Sequence, residues 1–386
     1  MNQKIFPYPI KRIGIIGGGQ LGKMTAQAAK RMGFYVSVLD PTPKCPAAHI
    51  ADDQIIGGLY DAEKLWALAK VSDVLTYDVE HIDTQTLKAL HNEGVIIYPS
   101  PNVLEIIQDK LKQKEILDKN NLPIPRFESV DKVTDDYLAR VNFPVVQKAR
   151  KGGYDGKGVI VLKSPNDANN ALRTLSIFEE YIDFTKELAI IIARTPTGET
   201  ACYPVVEMVF DDKTNICDIV AAPARIDREI EEQARQVALQ AIEALNGVGI
   251  FGVEMFLTQN GQVLVNEIAP RPHNSGHYTI EACMTDQFEQ LIRVISGLPL
   301  GVTTLLKPAV MLNLLGEEAY SGQPIIEGLP EALSIPGLCF HFYEKKNTQP
   351  FRKMGHITIL DDNLENALTK AQHVKNILKI TGKDRI

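Results

Sequence analysis

The chain lacks a Cys-x-x-Cys pair: its five cysteines, Cys45, Cys202, Cys217, Cys283 and Cys339, are scattered and odd in number. That excludes a zinc finger or ribbon and suits a reducing compartment. No apolar run approaches the length of a membrane span, and Met1 to Arg12, with Pro7 and Pro9, lacks the apolar core of a secretion signal. The expectation is a cytoplasmic protein with no membrane partner. An excess of positive charge is missing too: 41 Lys and Arg against 48 Asp and Glu leave a net charge of −7, which argues against nucleic acid as a partner. Repeats and low-complexity tracts are also missing. What is present is the 45% apolar, 23% charged composition of a globular protein, at a length of 386 residues that predicts two or three domains.

The most informative segment runs from Gly252 to Glu267. Asn260-Gly261 is the preferred pair for a two-residue type I′ turn, so the segment reads as a β-hairpin. Counting outward from that turn, Gln259 faces Gln262, Phe256 faces Val265, Met255 faces Asn266, and Glu254 faces Glu267. The two carboxylates then share a sheet face with Phe256, Val265 and Val263. Like charges directly opposite one another destabilise a ladder, and a divalent cation with oxygen ligands resolves the conflict. A register slip of one residue would place the glutamates on opposite faces, and solvated rim carboxylates are the competing interpretation. Immediately beyond lie Arg271, His273, Asn274, Ser275 and His277. The two histidines are four apart, but Pro272 and Gly276 exclude a regular helix and with it a helical metal pair.

The first hundred residues alternate strand and helix: strands at Arg12-Ile16, Tyr35-Leu39, Val74-Tyr77 and Val95-Tyr98, helices at Leu21-Met32 and Asp61-Lys70. This is the pattern of a parallel sheet with crossover helices. One helix is expected from Asn102 to Lys119, then an antiparallel meander through Glu187-Arg194, Cys202-Phe210 and Cys217-Ala222. A further helix with apolar positions from Ile230 to Leu245 precedes the hairpin.

Two glycine-rich loops stand out. Gly17-Gly18-Gly19-Gln20-Leu21-Gly22 follows a strand, opens a helix and is followed by Asp40 at the end of the next strand, the context of a dinucleotide fingerprint. Backbone N–H groups at a helix N-terminus will hold any phosphate, however, so the loop alone does not choose a ligand. The second loop, Lys151 to Gly158, carries four glycines flanked by Lys148, Arg150 and Lys157, and it is not a Walker A sequence. Its composition fits a turn that folds over a polyphosphate.

The second loop, the paired glutamates and Asn266-Glu267-Ile268-Ala269-Pro270-Arg271-Pro272-His273-Asn274-Ser275-Gly276-His277 occur in the order seen in ATP-grasp ligases. Together with Gly18-Gly19-Gln20-Leu21-Gly22 they resemble one family of these over nearly the whole chain, the 5-(carboxyamino)imidazole ribonucleotide synthases of purine biosynthesis. The resemblance implies a fold of mixed α/β and α+β class: a Rossmann-like pre-ATP-grasp domain (1–101), an ATP-grasp domain (102–305) and a small C-terminal domain (306–386).

By the same resemblance ATP and magnesium are the cofactors. Lys110 and Lys148 would meet the phosphates, Gly153, Tyr154, Asp155, Gly156, Lys157, Gly158 and Val159 would cover them, and Glu179, Glu180, Tyr181 and Ile182 would line the adenine. Glu187 would bond the ribose, and Glu254 and Glu267, assisted by Asn266, would hold the metal. Bicarbonate would attack the γ-phosphorus to give carboxyphosphate, and its carbon would pass to the exocyclic amine of aminoimidazole ribonucleotide. Arg271, His273, Asn274 and Lys157 are the implied catalytic groups. Gly19, Gln20, Leu21, Glu80, Tyr154, Asp155, Lys345 and Arg352 are the implied contacts to that substrate. The chain departs from the family pattern at Gln349-Pro350-Phe351-Arg352-Lys353, which leaves Lys346 able to share the role of Lys345, and at Lys157, where many relatives have Arg. Relatives are commonly homodimers. The alternatives are a nicotinamide-dependent oxidoreductase using the first loop and Asp40, a formate-dependent or biotin-carboxylating ligase, and an ATP-binding regulatory subunit.

Overall fold

The computed structural model describes residues 11–153, 158–211 and 216–386. Strands Arg12–Ile16, Tyr35–Asp40, Asp53–Ile56 and Val74–Tyr77 form a parallel sheet with the first strand between the second and fourth. The short strand Asp53–Ile56 was not foreseen. The expected strand Val95-Tyr98 makes only one bridge, Ile97 to Leu75, because Pro99 has no N–H with which to continue a ladder.

The single helix expected from Asn102 to Lys119 is two, Pro101–Ile107 and Lys110–Lys119. Asp109 breaks it. Its backbone is extended and its carboxylate caps the second helix by accepting from Leu111 N, while the Arg150 guanidinium grips both oxygens at 3.0 and 2.7 Å. The break re-aims the chain so that Lys110 begins a helix with its side chain pointing toward the hairpin.

Two larger antiparallel sheets follow, besides a two-stranded one that pairs Tyr320–Glu327 with Lys379–Arg385. A four-stranded one has Ser176–Glu180 and Val145–Ala149 at its centre, flanked by Phe127–Val130 and Val159–Leu162. A nine-stranded one runs from Val263–Ala269 through Gly249–Thr258, Phe184–Arg194, Val206–Phe210 and Cys217–Ala222 to Ala309–Leu315, Lys353–Leu360 and Leu338–Phe342, with Thr200–Cys202 paired to Phe184–Arg194 off this path. Strands from beyond residue 306 thus extend the same sheet as the hairpin. Helix Arg228–Ala244 closes the back of the hairpin: Ala234, Val237, Ala238, Ala241 and Ile242 pack on Phe251, Val253, Met255, Val263 and Val265.

The hairpin differs in register from the expectation, yet Glu254 still opposes Glu267. Thr258 and Gln262 close a three-residue loop in which Gly261 takes φ +80°, the left-handed position that follows a type I turn. Met255 therefore faces Val265 and Phe256 faces Leu264, one residue off the two-residue-turn register. A bulge between Glu254 and Met255, opposite Asn266, restores the glutamate pair. Val263 and Val265 consequently lie on the buried back, not beside the carboxylates; Leu264 and Phe256 share the front.

Asp109→Ala removes a cap and a bidentate partner of Arg150, and should destabilise the central unit by about 1–2 kcal/mol, as N-cap deletions do. Thermal unfolding followed by circular dichroism checks it, the lowest transition moving down relative to wild type.

Candidate active site

Lys110 starts its helix four residues before Lys114, so both ammonium groups leave on one face. Lys110 Nζ lies 2.6 Å from Glu267 Oε1. Lys148, from the centre of the small sheet, reaches Asn266 Oδ1 at 2.8 Å and Glu179 at 2.7 Å, and Lys114 lies 3.1 Å from the other Glu179 oxygen. The cleft is therefore bridged by Lys110 and Lys148, which bond Glu267 and Asn266 of the hairpin, while Glu179 holds Lys148 and Lys114 from the lysines' own side. Lys114 was not foreseen, although its spacing from Lys110 was a usable signal. Burial pulls its ammonium down to about 8 against the pull of Glu179.

Glu179 is 2% exposed, so its carboxylate serves the two lysines and not the cleft surface. Its expected place along an adenine is correspondingly restricted, since the side chain has no open face. Glu180 pairs with Arg126 at 2.8 Å, and Tyr181 and Ile182 lie past the strand end, the former exposed. Glu187 sits on the cleft face opposite Phe256. Burial, with the charge of Glu254 adding to it, raises its carboxyl to about 8. Glu267 goes the other way: Lys110 overcomes desolvation and holds it at about 2.

The bulge turns Asn266 and Glu267 together into the cleft, where one meets Lys148 and the other Lys110. Glu254 meets His273 Nε2 at 3.2 Å, and His273 Nδ1 is 2.8 Å from Ser275 Oγ. Among the described residues no three His, Cys, Asp or Glu side chains converge as a complete metal cage. Two opposed carboxylates and an amide oxygen are nevertheless a hard-oxygen set that fits a partial site, of the kind magnesium completes with phosphate oxygens and water.

Beyond the hairpin, Arg271 pairs with Glu80 at 2.8 Å, and Asn274 exchanges two amide hydrogen bonds with Asn313 at 2.9 and 2.8 Å. Asn313 was not foreseen. His277 is fully buried, its Nδ1 3.1 Å from Gln287, and burial pushes its imidazole well below the ordinary range. It supports the turn Asn274–Gly276 from beneath.

In the first glycine loop Asp78 takes the helix N-terminus, accepting from Gly19 N and Gly22 N at 2.9 Å each. Gly17, at φ +98°, has no room for a Cβ because the Asp78 carboxyl stands there. Asp40 accepts from Gly18 N in the glycine loop and from Thr42 N two residues on. Both ends of the loop are thus held by carboxylates of the chain itself. Gln20 and Leu21 form the first turn of helix Gln20–Arg31. Lys345 Nζ donates to Lys353 O at 2.7 Å and Arg352 donates to Asn347 O at 2.7 Å, both on the segment that returns to the large sheet. Gly153, Gly158 and Val159 frame the second loop; Tyr154, Asp155, Gly156 and Lys157 lie outside the described residues.

Two sheets clasping a lysine-lined cleft, with paired acids on the last hairpin, define the ATP-grasp class. An ATP-grasp domain model matches residues 115–288, a ribonucleotide synthetase preATP-grasp domain residues 10–108, and a phosphoribosylaminoimidazole carboxylase C-terminal domain residues 309–370. The crystal structure of N5-carboxyaminoimidazole ribonucleotide synthetase from Thermotoga maritima is 57% identical with a TM-score of 0.90, covering 97% of this chain and 100% of that one. The Aspergillus clavatus N5-carboxyaminoimidazole synthase, solved with ADP and 5-aminoimidazole ribonucleotide, is 35% identical with a TM-score of 0.87, covering 95% and 98%. The Bacillus subtilis N5-carboxyaminoimidazole ribonucleotide synthase is 40% identical over 359 residues, 92% of each chain. The chain spans 65% of a longer relative, the chloroplastic phosphoribosylaminoimidazole carboxylase of Vigna aconitifolia, at 40% identity. The chain belongs to the N5-carboxyaminoimidazole ribonucleotide synthase family and is an ATP-dependent ligase.

Because Glu187 keeps its proton in the folded state up to about 8, while an unfolded glutamate loses it near 4.5, unfolding releases a proton between those values. Its stabilising contribution is full below pH 4.5 and lost as pH rises through 8. The melting temperature of the nucleotide-free protein should therefore fall with pH across that window, and Glu187→Gln should flatten the fall.

Proposed function

We propose that the chain uses ATP and bicarbonate to carboxylate the exocyclic amine of 5-aminoimidazole ribonucleotide, giving N5-carboxyaminoimidazole ribonucleotide, ADP and phosphate. The observation that carries this reading is the opposition of Glu254 to Glu267 across the cleft from Lys110 and Lys148, within a family whose Aspergillus clavatus member was solved with ADP and this ribonucleotide.

In this reading Lys110 and Lys148 bind the β- and γ-phosphates, releasing Glu267 and Asn266. Glu187, protonated near neutral pH, both donates to and accepts from ribose hydroxyls. Glu254 and Glu267, with Asn266, hold magnesium, which supplies charge neutralisation and alignment of the phosphates when bound. Bicarbonate oxygen attacks the γ-phosphorus and ADP leaves; the amine nitrogen then takes the carboxyphosphate carbon, phosphate leaves, and the amine gives up one proton. Arg271 steadies the transferring phosphoryl group and His273 and Asn274 orient bicarbonate, with Asn274 itself held by Asn313. Glu80, released when Arg271 turns to the phosphoryl group, meets the imidazole. Tyr154, Asp155 and Lys157, outside the described residues, complete the contacts to both substrates. Gln20 and Leu21 offer backbone N–H groups to the ribonucleotide phosphate beside Gly19, whose own N–H is held by Asp78, and Lys345 and Arg352 grip that phosphate. A homodimer belongs to the same reading, as does a reducing cytoplasm, which the free cysteines support.

Phosphate release with ATP, magnesium and bicarbonate, with and without aminoimidazole ribonucleotide, tests the reaction. Strong stimulation requiring bicarbonate is expected; ATP binding with no response to the amine would overturn it. Glu267→Ala should abolish magnesium-dependent turnover while circular dichroism stays that of wild type. Arg352→Ala should raise the apparent constant for the ribonucleotide more than that for ATP, and an unchanged ribonucleotide constant would relocate the phosphate site.

A further inference from the structure

The first turn of helix Gln20–Arg31 contains no acidic residue and its cap, Gly19, offers no side chain. It carries Lys23, whose side chain is only 9% exposed. Asp78 answers the helix end, but a buried cation beside it is unfavourable unless it has an anion of its own. The answering anion comes from the far end of the chain: Glu344 lies 2.8 Å from Lys23 Nζ, and Phe342 O accepts a hydrogen bond from the same nitrogen at 3.1 Å. Glu344 is the immediate neighbour of Lys345. It holds its position with φ +59°, a left-handed backbone that glutamate rarely adopts, and its side chain is 48% exposed.

These facts describe a cation that is fixed and an anion that is strained and open to solvent. Lys23 has three N–H donors, of which Phe342 O and Glu344 take two. We propose that Lys23 is a further cation of the site for the ribonucleotide's phosphate, and that Glu344 is the carboxylate that occupies the place until the phosphate arrives. The proposal rests on the reading of Lys345 and Arg352 given above. A phosphate dianion brings more charge than a carboxylate and can bond Lys23 and Lys345 together, so it displaces Glu344 and joins the first helix to the C-terminal segment.

A plain structural tie between Lys23 and Glu344 would behave differently. Removing either half of a tie loosens the same contact, so both variants would shift substrate affinity in one direction. A displaced carboxylate competes with the phosphate, so the two variants shift it oppositely. The experiment measures apparent constants for aminoimidazole ribonucleotide and for ATP in Lys23→Gln, Lys23→Arg, Glu344→Gln and Lys345→Gln, alongside direct calorimetric binding of the ribonucleotide. Lys23→Gln should raise the ribonucleotide constant about tenfold or more, the scale of a lost charge-assisted bond, with the ATP constant unmoved and Lys23→Arg restoring most of it. Glu344→Gln should lower the ribonucleotide constant by about two- to fivefold, the scale of an exposed ion pair. Shifts in the same direction for Lys23→Gln and Glu344→Gln would overturn the proposal. So would an unmoved constant in Lys23→Gln while Lys345→Gln raises it, a result that leaves the phosphate site standing. If neither lysine matters, the placement of the phosphate fails as well, and wild-type protein that neither binds nor responds to the ribonucleotide overturns the functional reading itself.

Discussion

Opposite charges facing one another across the cleft are the constraint on which the rest of the structure depends. Without ligands, Lys110 is matched by Glu267, Lys148 by Asn266 and Glu179, Glu254 by His273, and Arg271 by Glu80. A site able to hold a triphosphate and a divalent cation must contain many charges of both signs, and each would be costly to bury alone. Mutual pairing solves this. In the proposed reading binding is an exchange of partners, in which phosphates would take Lys110 and Lys148 and a divalent cation would take Glu254 and Glu267.

Exchange requires that some groups stay while others move. Lys114 and Glu179, 2% exposed each, are the fixed part: one Glu179 oxygen holds Lys148 whichever partner that lysine has in the cleft, and Lys114 holds the other. The back of the hairpin is fixed too, by the helix that covers Val253, Met255, Val263 and Val265. Its front carries the bulge that brings Asn266 and Glu267 out together, so one local irregularity supplies the amide for one lysine and the carboxylate for the other.

Much of this was legible in the residues, for identifiable reasons. The Glu254–Glu267 pairing was inferred from a two-residue turn, and it holds because two departures cancel: a loop one residue longer and a bulge one residue wide. Neither departure is visible in a hydrophobic pattern, and the inward-facing neighbours were misplaced as a result. Asp109 split an expected helix because its capping bond depends on Arg150, forty-one residues away. Lys114 and Asn313 were missed because each is defined by a partner on another element, Glu179 and Asn274. The glycine loop at Gly17 was recognised but its meaning turned on Asp78 and Asp40, whose roles only the folded chain displays.

The exchange of partners is tested most directly by a crystal structure of the protein with ADP and magnesium. The account predicts that Lys110 Nζ leaves Glu267 for a phosphate oxygen, with the cation between Glu254 and Glu267. A structure in which ADP binds while Lys110 keeps its bond to Glu267, and the cation sits elsewhere, would contradict it.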